Sequence, residues 1–219
     1  SHRSTRASAS TRKTDHRVNP AASPIDWERA ERVAIRVAAR RPAPPHHLDG
    51  EPFAPAEQVE DQIEAVTGLR SANGTATVQI IDRATWIRAN IASFRELLTP
   101  VTDRWQQKVG SLNGPAGAVG RQIAGAQVGA LLGWMSTRVL GQYDLLIGRD
   151  TGDDAVYLVG PNLASIEQRY AFDSYEFRSW VLLHELTHRA QFTGVPWMRD
   201  HFTGLVNHSL SFADPDPKA

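Results

Sequence analysis

The 219 residues carry 24 Lys and Arg against 24 Asp and Glu, with eight His, no Cys and 41% hydrophobic residues. That length suits one large domain or two small ones, and the balanced charge argues against a nucleic-acid binder, because phosphate recognition normally shows as a basic excess. Without Cys there is no disulfide framework, thiol catalysis or thiolate metal site, which suits a reducing compartment and sets the expectation of a cytoplasmic protein. No run of 18 or more uncharged apolar residues is present, so no membrane span is expected. The chain opens on Ser1 and its first Met is Met135, the pattern of a fragment or trimmed product.

Residues 1–24 are basic and Ser-rich, with five Lys or Arg against the single acid Asp15 and no apolar stretch. They read as a disordered tail, since nothing in them can bury enough surface to fold. Order is expected from Ser23-Pro24-Ile25-Asp26, where the polar and Pro residues can start a helix whose apolar positions Trp27, Ala30, Ala34 and Val37 run to about Arg40. Five Pro residues make 41–55 a loop, in which His46 and His47 read as solvated. Pro55 then opens a helix that Gly68 closes.

Thr75–Ile81 is rich in β-branched residues and reads as a strand. Asp82 can cap a helix with apolar positions Trp86, Ile87, Ile91, Phe94 and Leu98, expected to stop at Pro100. After a break at 110–117, a long helix is expected from about Val119 to Leu146. Its Gly125, Gly129 and Gly133, four apart, would let another backbone approach closely, either within the chain or in self-association. Arg149–Asp154 reads as a turn, because it lacks the closing Glu of a calcium loop. Ala155–Gly160 forms a second short strand. Asp173-Ser-Tyr-Glu176 offers a capping box for a helix to about Phe192. A last helix spans Pro196 to Leu210, and 213–219 is a frayed tail. The fold class is therefore mainly α, with a small β element beside the 173–192 helix.

That helix contains His184-Glu-Leu-Thr-His188, an HExxH pattern. Residues four apart lie on one helical face, so His184 and His188 can offer two imidazole nitrogens to one cation, and zinc favours such ligands. Glu185 lies beside the first ligand, where it can reach a zinc-bound water and act as general base. With eight His and ten Glu in the chain, the pattern arises by chance in about one such chain in a hundred. Trp180, Val181, Leu182, Leu183 and Leu186 surround the motif and suggest a buried segment, in which His and Glu would need partners. A catalytic zinc normally takes a third protein ligand. No Glu follows Glu185 and the metzincin His position is Gly194, which leaves His201, His208 and Asp200 as candidates within the chain.

Four segments in order carry a resemblance: Thr77–Phe94, Arg138-Val-Leu-Gly-Gln-Tyr-Asp144, Tyr157-Leu-Val-Gly-Pro-Asn162, and His184–Phe192 with Pro196-Trp-Met-Arg199. Together they resemble a zincin-like family of zinc-dependent metalloproteases from high-GC Gram-positive bacteria, some of whose members are labelled deazaflavin-coenzyme biosynthesis-associated. The resemblance covers about Asp26 to Phe212. It implies a zincin-like metallohydrolase domain over 25–212, zinc ligation by His184 and His188, and a base role for Glu185. It also implies longer relatives in which a Glu on a later helix completes the zinc site, so that this domain would be C-terminally incomplete. The resemblance also makes 155–160, a few residues before the HExxH helix, an edge strand that could receive an extended peptide. The expected function is a zinc metallopeptidase acting on a peptide or protein. The alternatives are a zinc hydrolase of another carbonyl substrate and an inactive zinc-binding scaffold.

Overall fold

The computed structural model describes residues 23–44, 53–109, 114–143 and 155–211. Most of the expected N-terminal tail, the C-terminal tail, His46 and His47, and the Arg149–Asp154 turn lie outside the described residues.

Helix α1 (Trp27–Ala39) starts where Asp26 accepts the Arg29 N–H at 2.8 Å, and it buries Trp27, Ala30, Ala34 and Ala38 along one stripe. Helix α2 (Ala56–Thr67) ends at Gly68, whose φ of +71° is the left-handed conformation that closes a helix without a Cβ clash. Strand β1 (Thr77–Ile81) leads into α3 (Arg83–Val109), where Asp82 accepts the Thr85 N–H at 2.7 Å. The stop expected at Pro100 is not observed, and α3 continues to Val109. A proline removes one backbone donor, and the many other turns of so long a helix carry that loss.

Helix α4 (Pro115–Met135) differs most from expectation. It begins earlier, with Pro115 in its first turn, and it stops at Met135 instead of running toward Leu146. The Ser136 hydroxyl donates to the Gly133 carbonyl at 2.8 Å, and the Asn162 side chain donates to the carbonyls of Ser136 and Val139 at 2.8 and 2.6 Å. These contacts turn the chain into a short strand, β2 (Gly141–Tyr143). The three spaced glycines face α1: a methyl group on Gly125, Gly129 or Gly133 would overlap the carbonyl oxygen of Asp26, Ala30 or Ala34. The close-approach surface is thus used within the chain.

Strand β3 (Ala155–Val159) passes directly into α5 (Gly160–Tyr170), a helix with no counterpart among the sequence expectations. Helix α6 (Ser174–Gly194) begins as its capping box requires, with Asp173 accepting the Glu176 N–H at 2.9 Å, and α7 (Met198–Ser211) follows. The strands order as β1-β3-β2, β1 parallel and β2 antiparallel to β3. Strand β3 is therefore the centre of the sheet and not its edge. Its residues reach apolar clusters on both sides: Val159 packs with Trp27, Trp86 and Leu132, while Val156 packs with Val59, Leu182 and Leu186. The fold is mainly helical, with a three-stranded sheet beside the HExxH helix.

Candidate metal centre

Helix α6 divides its residues between two environments. Val181, Leu182, Glu185, Leu186, Arg189 and Ala190 face inward, whereas His184 is exposed and His188 partly so. The segment is less enclosed than its apolar neighbours suggest, because Trp180 points outward and is 60% exposed, its ring 6.2 Å from that of His184. The i, i+4 spacing brings the imidazoles together: their centroids lie 4.6 Å apart, and the two Nε2 atoms are 3.1 Å apart.

That separation tests the fit of a metal. Two nitrogens bound to one tetrahedral zinc at ordinary Zn–N lengths sit about 3.3 Å apart. The two Nε2 atoms already approach this spacing, and neutral imidazole suits zinc, so the pair fits. Gln191, one turn beyond His188 on the same helix, places its Oε1 3.2 Å from His188 Nδ1.

The Glu185 side chain reaches β2. It is 8% exposed, and its Oε2 accepts the Tyr143 backbone N–H at 3.0 Å. Gly141, two residues before Tyr143 on the same strand, gives the carboxylate room: a Cβ there would lie 2.7 Å from Glu185 Cγ and 2.9 Å from Oε1. Burial pushes the Glu185 carboxyl above its ordinary range, opposed by His184, the Tyr143 N–H and His188. The edge strand next to the HExxH helix is thus β2, and its Tyr143 N–H holds the carboxylate.

Two further anchors fix the helix. Arg189, 1% exposed, donates to Glu60 Oε1 at 2.7 Å and to the Gly74 carbonyl at 2.9 Å, tying α6 to α2 and to the approach to β1. On the other side, Arg178 makes a two-bond ion pair with Glu167 of α5, both contacts at 2.7 Å.

Among the described residues no group of three His, Asp or Glu side chains is arranged to hold a metal ion. His201 on α7 is exposed and lies against the Trp197 ring at 5.7 Å. Asp200 and His208 are exposed on the same helix. Sequence reasoning missed Tyr143, whose contribution is a backbone group, and Gly141, whose contribution is a missing side chain. It also passed over Gln191, which the i, i+3 spacing from His188 could have revealed.

A family model described as zincin-like metallopeptidase matches residues 25–219. The chain belongs to the zincin-like metallopeptidase family. This zincin-like chain also resembles a crystal structure from Chloroflexus aurantiacus described as "a putative hydrolase with a novel fold", at 30% identity and a TM-score of 0.64. The match covers 85% of this chain and 59% of that one, so the zincin-like chain spans under two thirds of its structural relative. No curated protein matches it significantly. Among the described residues no helix is long and apolar enough to cross a membrane.

Proposed function

We infer that this chain is a zinc-dependent metallohydrolase acting on peptide bonds, with His184 and His188 as metal ligands and Glu185 as general base. The observation that carries this reading is the pair of Nε2 atoms 3.1 Å apart, with a buried carboxylate held by Tyr143 on the next residue. Membership of a metallopeptidase family supports a peptide as substrate. The Cys-free composition supports a reducing compartment such as the cytoplasm.

Zinc, when bound, supplies a Lewis acid that acidifies water and polarises a carbonyl. The remaining work falls to the chain. The imidazoles present their lone pairs from one helical face, and α6 is held in place by Arg189 and Arg178. Glu185 takes a proton from the attacking water and returns it to the leaving nitrogen. Its burial makes it a stronger base than an exposed carboxylate, and the Tyr143 N–H restrains one oxygen.

The test is a panel of unstructured peptides incubated with the full chain, with and without chelator, alongside Glu185→Gln and His184→Ala. Chelator-sensitive cleavage is expected. Glu185→Gln should keep its zinc and lose about 10²–10⁴-fold in rate, the range for a positioned acid–base group. His184→Ala should lose metal and activity together. Full activity in Glu185→Gln would overturn the base role, and cleavage without zinc would overturn the whole reading.

A further inference from the structure

We propose that Gln191 is a positioning residue that fixes the tautomer of His188 and so prepares its Nε2 for a metal. The proposal rests on the zinc reading above. Its own ground is the 3.2 Å contact between His188 Nδ1 and Gln191 Oε1.

A neutral imidazole carries one proton, and the nitrogen that holds it cannot ligate. Gln191 Oε1 is an acceptor only, so this contact requires the proton on His188 Nδ1 and leaves a lone pair on Nε2. His188 Nε2, left with its lone pair, faces His184 Nε2 at 3.1 Å, the side on which a shared cation would be held. A Gln amide can present either end. If its NH2 faced His188 instead, the proton would move to His188 Nε2 and block the ligand position. The i, i+3 placement on one helix gives Gln191 its reach without any tertiary contact.

Two measurements test this on the full chain. The first is ¹⁵N NMR of the histidine rings in metal-free protein, at a pH where imidazole is neutral. His188 should appear as the Nδ1–H form. Gln191→Met, which keeps the length but removes the acceptor, should shift His188 toward Nε2–H. Gln191→Glu, which keeps an acceptor, should restore Nδ1–H. The second is zinc affinity by chelator competition. Gln191→Met should bind about 10–100-fold more weakly, the usual effect of removing a group that orients a ligand. Gln191→Glu should bind at least as tightly as the parent.

The thermal midpoint of metal-free Gln191→Met should match the parent, which separates orientation of His188 from loss of fold. An unchanged His188 tautomer in Gln191→Met, or zinc affinity equal to the parent, overturns the proposal. If the parent chain takes up no zinc, the metal reading fails and the proposal with it. Zinc uptake by the parent with an Nε2–H His188 overturns the tautomer assignment alone.

Discussion

The backbone N–H of Tyr143 donates to Glu185 Oε2 at 3.0 Å across 42 residues of sequence, joining an edge strand to the helix that carries both imidazoles. A buried carboxylate without a donor would be strongly disfavoured, and a strand's outward-facing N–H is a donor available without side-chain entropy. The same strand leaves space at Gly141. One three-residue strand therefore both admits Glu185 and restrains it.

Gly141→Ala tests this directly. Gly141 is not among the residues with positive φ, so alanine meets no left-handed backbone penalty there, and its close approach to the Glu185 side chain, 2.7 Å from Cγ and 2.9 Å from Oε1, is what is at issue. The carboxylate should be displaced and its bond to Tyr143 weakened. Cleavage should fall by about 10–100-fold, in line with misplacing a reacting group by about an ångström. Zinc content should remain at the parent level, because neither imidazole is touched. Parallel assays of kcat/KM and bound metal decide it, and unchanged kcat/KM would mean that Glu185 tolerates the added methyl.

The parts of the fold legible in the sequence are those set by local chemistry. Asp82 and Asp173 mark helix starts, Gly68 marks a stop, and the His184–His188 spacing needs only helical geometry. The illegible parts depend on distant contacts. Helix α4 stops at Met135 because Asn162, far along the chain, engages the carbonyls after it. Strand β2 has three residues, too few for periodicity, and α5 follows β3 with no linker to announce it. The central place of β3 was nonetheless written in Ala155-Val-Tyr-Leu-Val159, a continuous apolar run typical of a strand buried on both faces. Glu185 was legible as a residue, but its partner was not, because any residue type can supply a backbone N–H.

Gly129→Ala should separate α1 from α4. The added methyl would overlap the Ala30 carbonyl, a backbone atom that cannot rotate away. Overpacking of this kind costs about 1–3 kcal/mol, and here the rigid neighbour favours the upper end. Gly120→Ala on the same helix is the control: nothing lies within 4 Å of its Cβ position. Replacing that helical glycine should stabilise by about 0.5–1 kcal/mol. Denaturant midpoints of the two variants should move in opposite directions, and parallel shifts would contradict the close α1–α4 contact.

Asp82 should contribute a pH-dependent share of stability. Its pKa is lowered, chiefly by the Thr85 N–H that its carboxylate accepts. A lowered folded-state pKa means that the contribution is present above the unfolded carboxylate value and is lost as pH falls through the folded one. Removing the cap with Asp82→Ala should therefore cost about 1 kcal/mol near neutral pH, and the difference from the parent should shrink under acid. Unfolding curves at neutral and acidic pH would show it. A gap that widens toward low pH would have the wrong sign for a capping carboxylate.

Arg189 and Glu60 should behave as a coupled pair. Arg189 is 1% exposed, and Glu60 Oε1 accepts both its guanidinium and the Ala76 N–H, at 2.7 and 3.1 Å. Arg189→Met would leave the Glu60 carboxylate with its main counter-charge removed. Breaking one side of a buried pair costs about 3–5 kcal/mol, a large part of the roughly 5–15 kcal/mol that holds a typical domain together. Adding Glu60→Gln should recover part of that loss, because the uncompensated charge disappears while a carbonyl oxygen remains for Ala76. One nitrogen of Arg189, Nη1, donates to both Glu60 and the Gly74 carbonyl, so the pair hangs on a single donor atom placed between them. A double-mutant cycle on metal-free protein measures the coupling. A coupling energy near zero would show that the ion pair with Glu60 is not what holds α6 against α2.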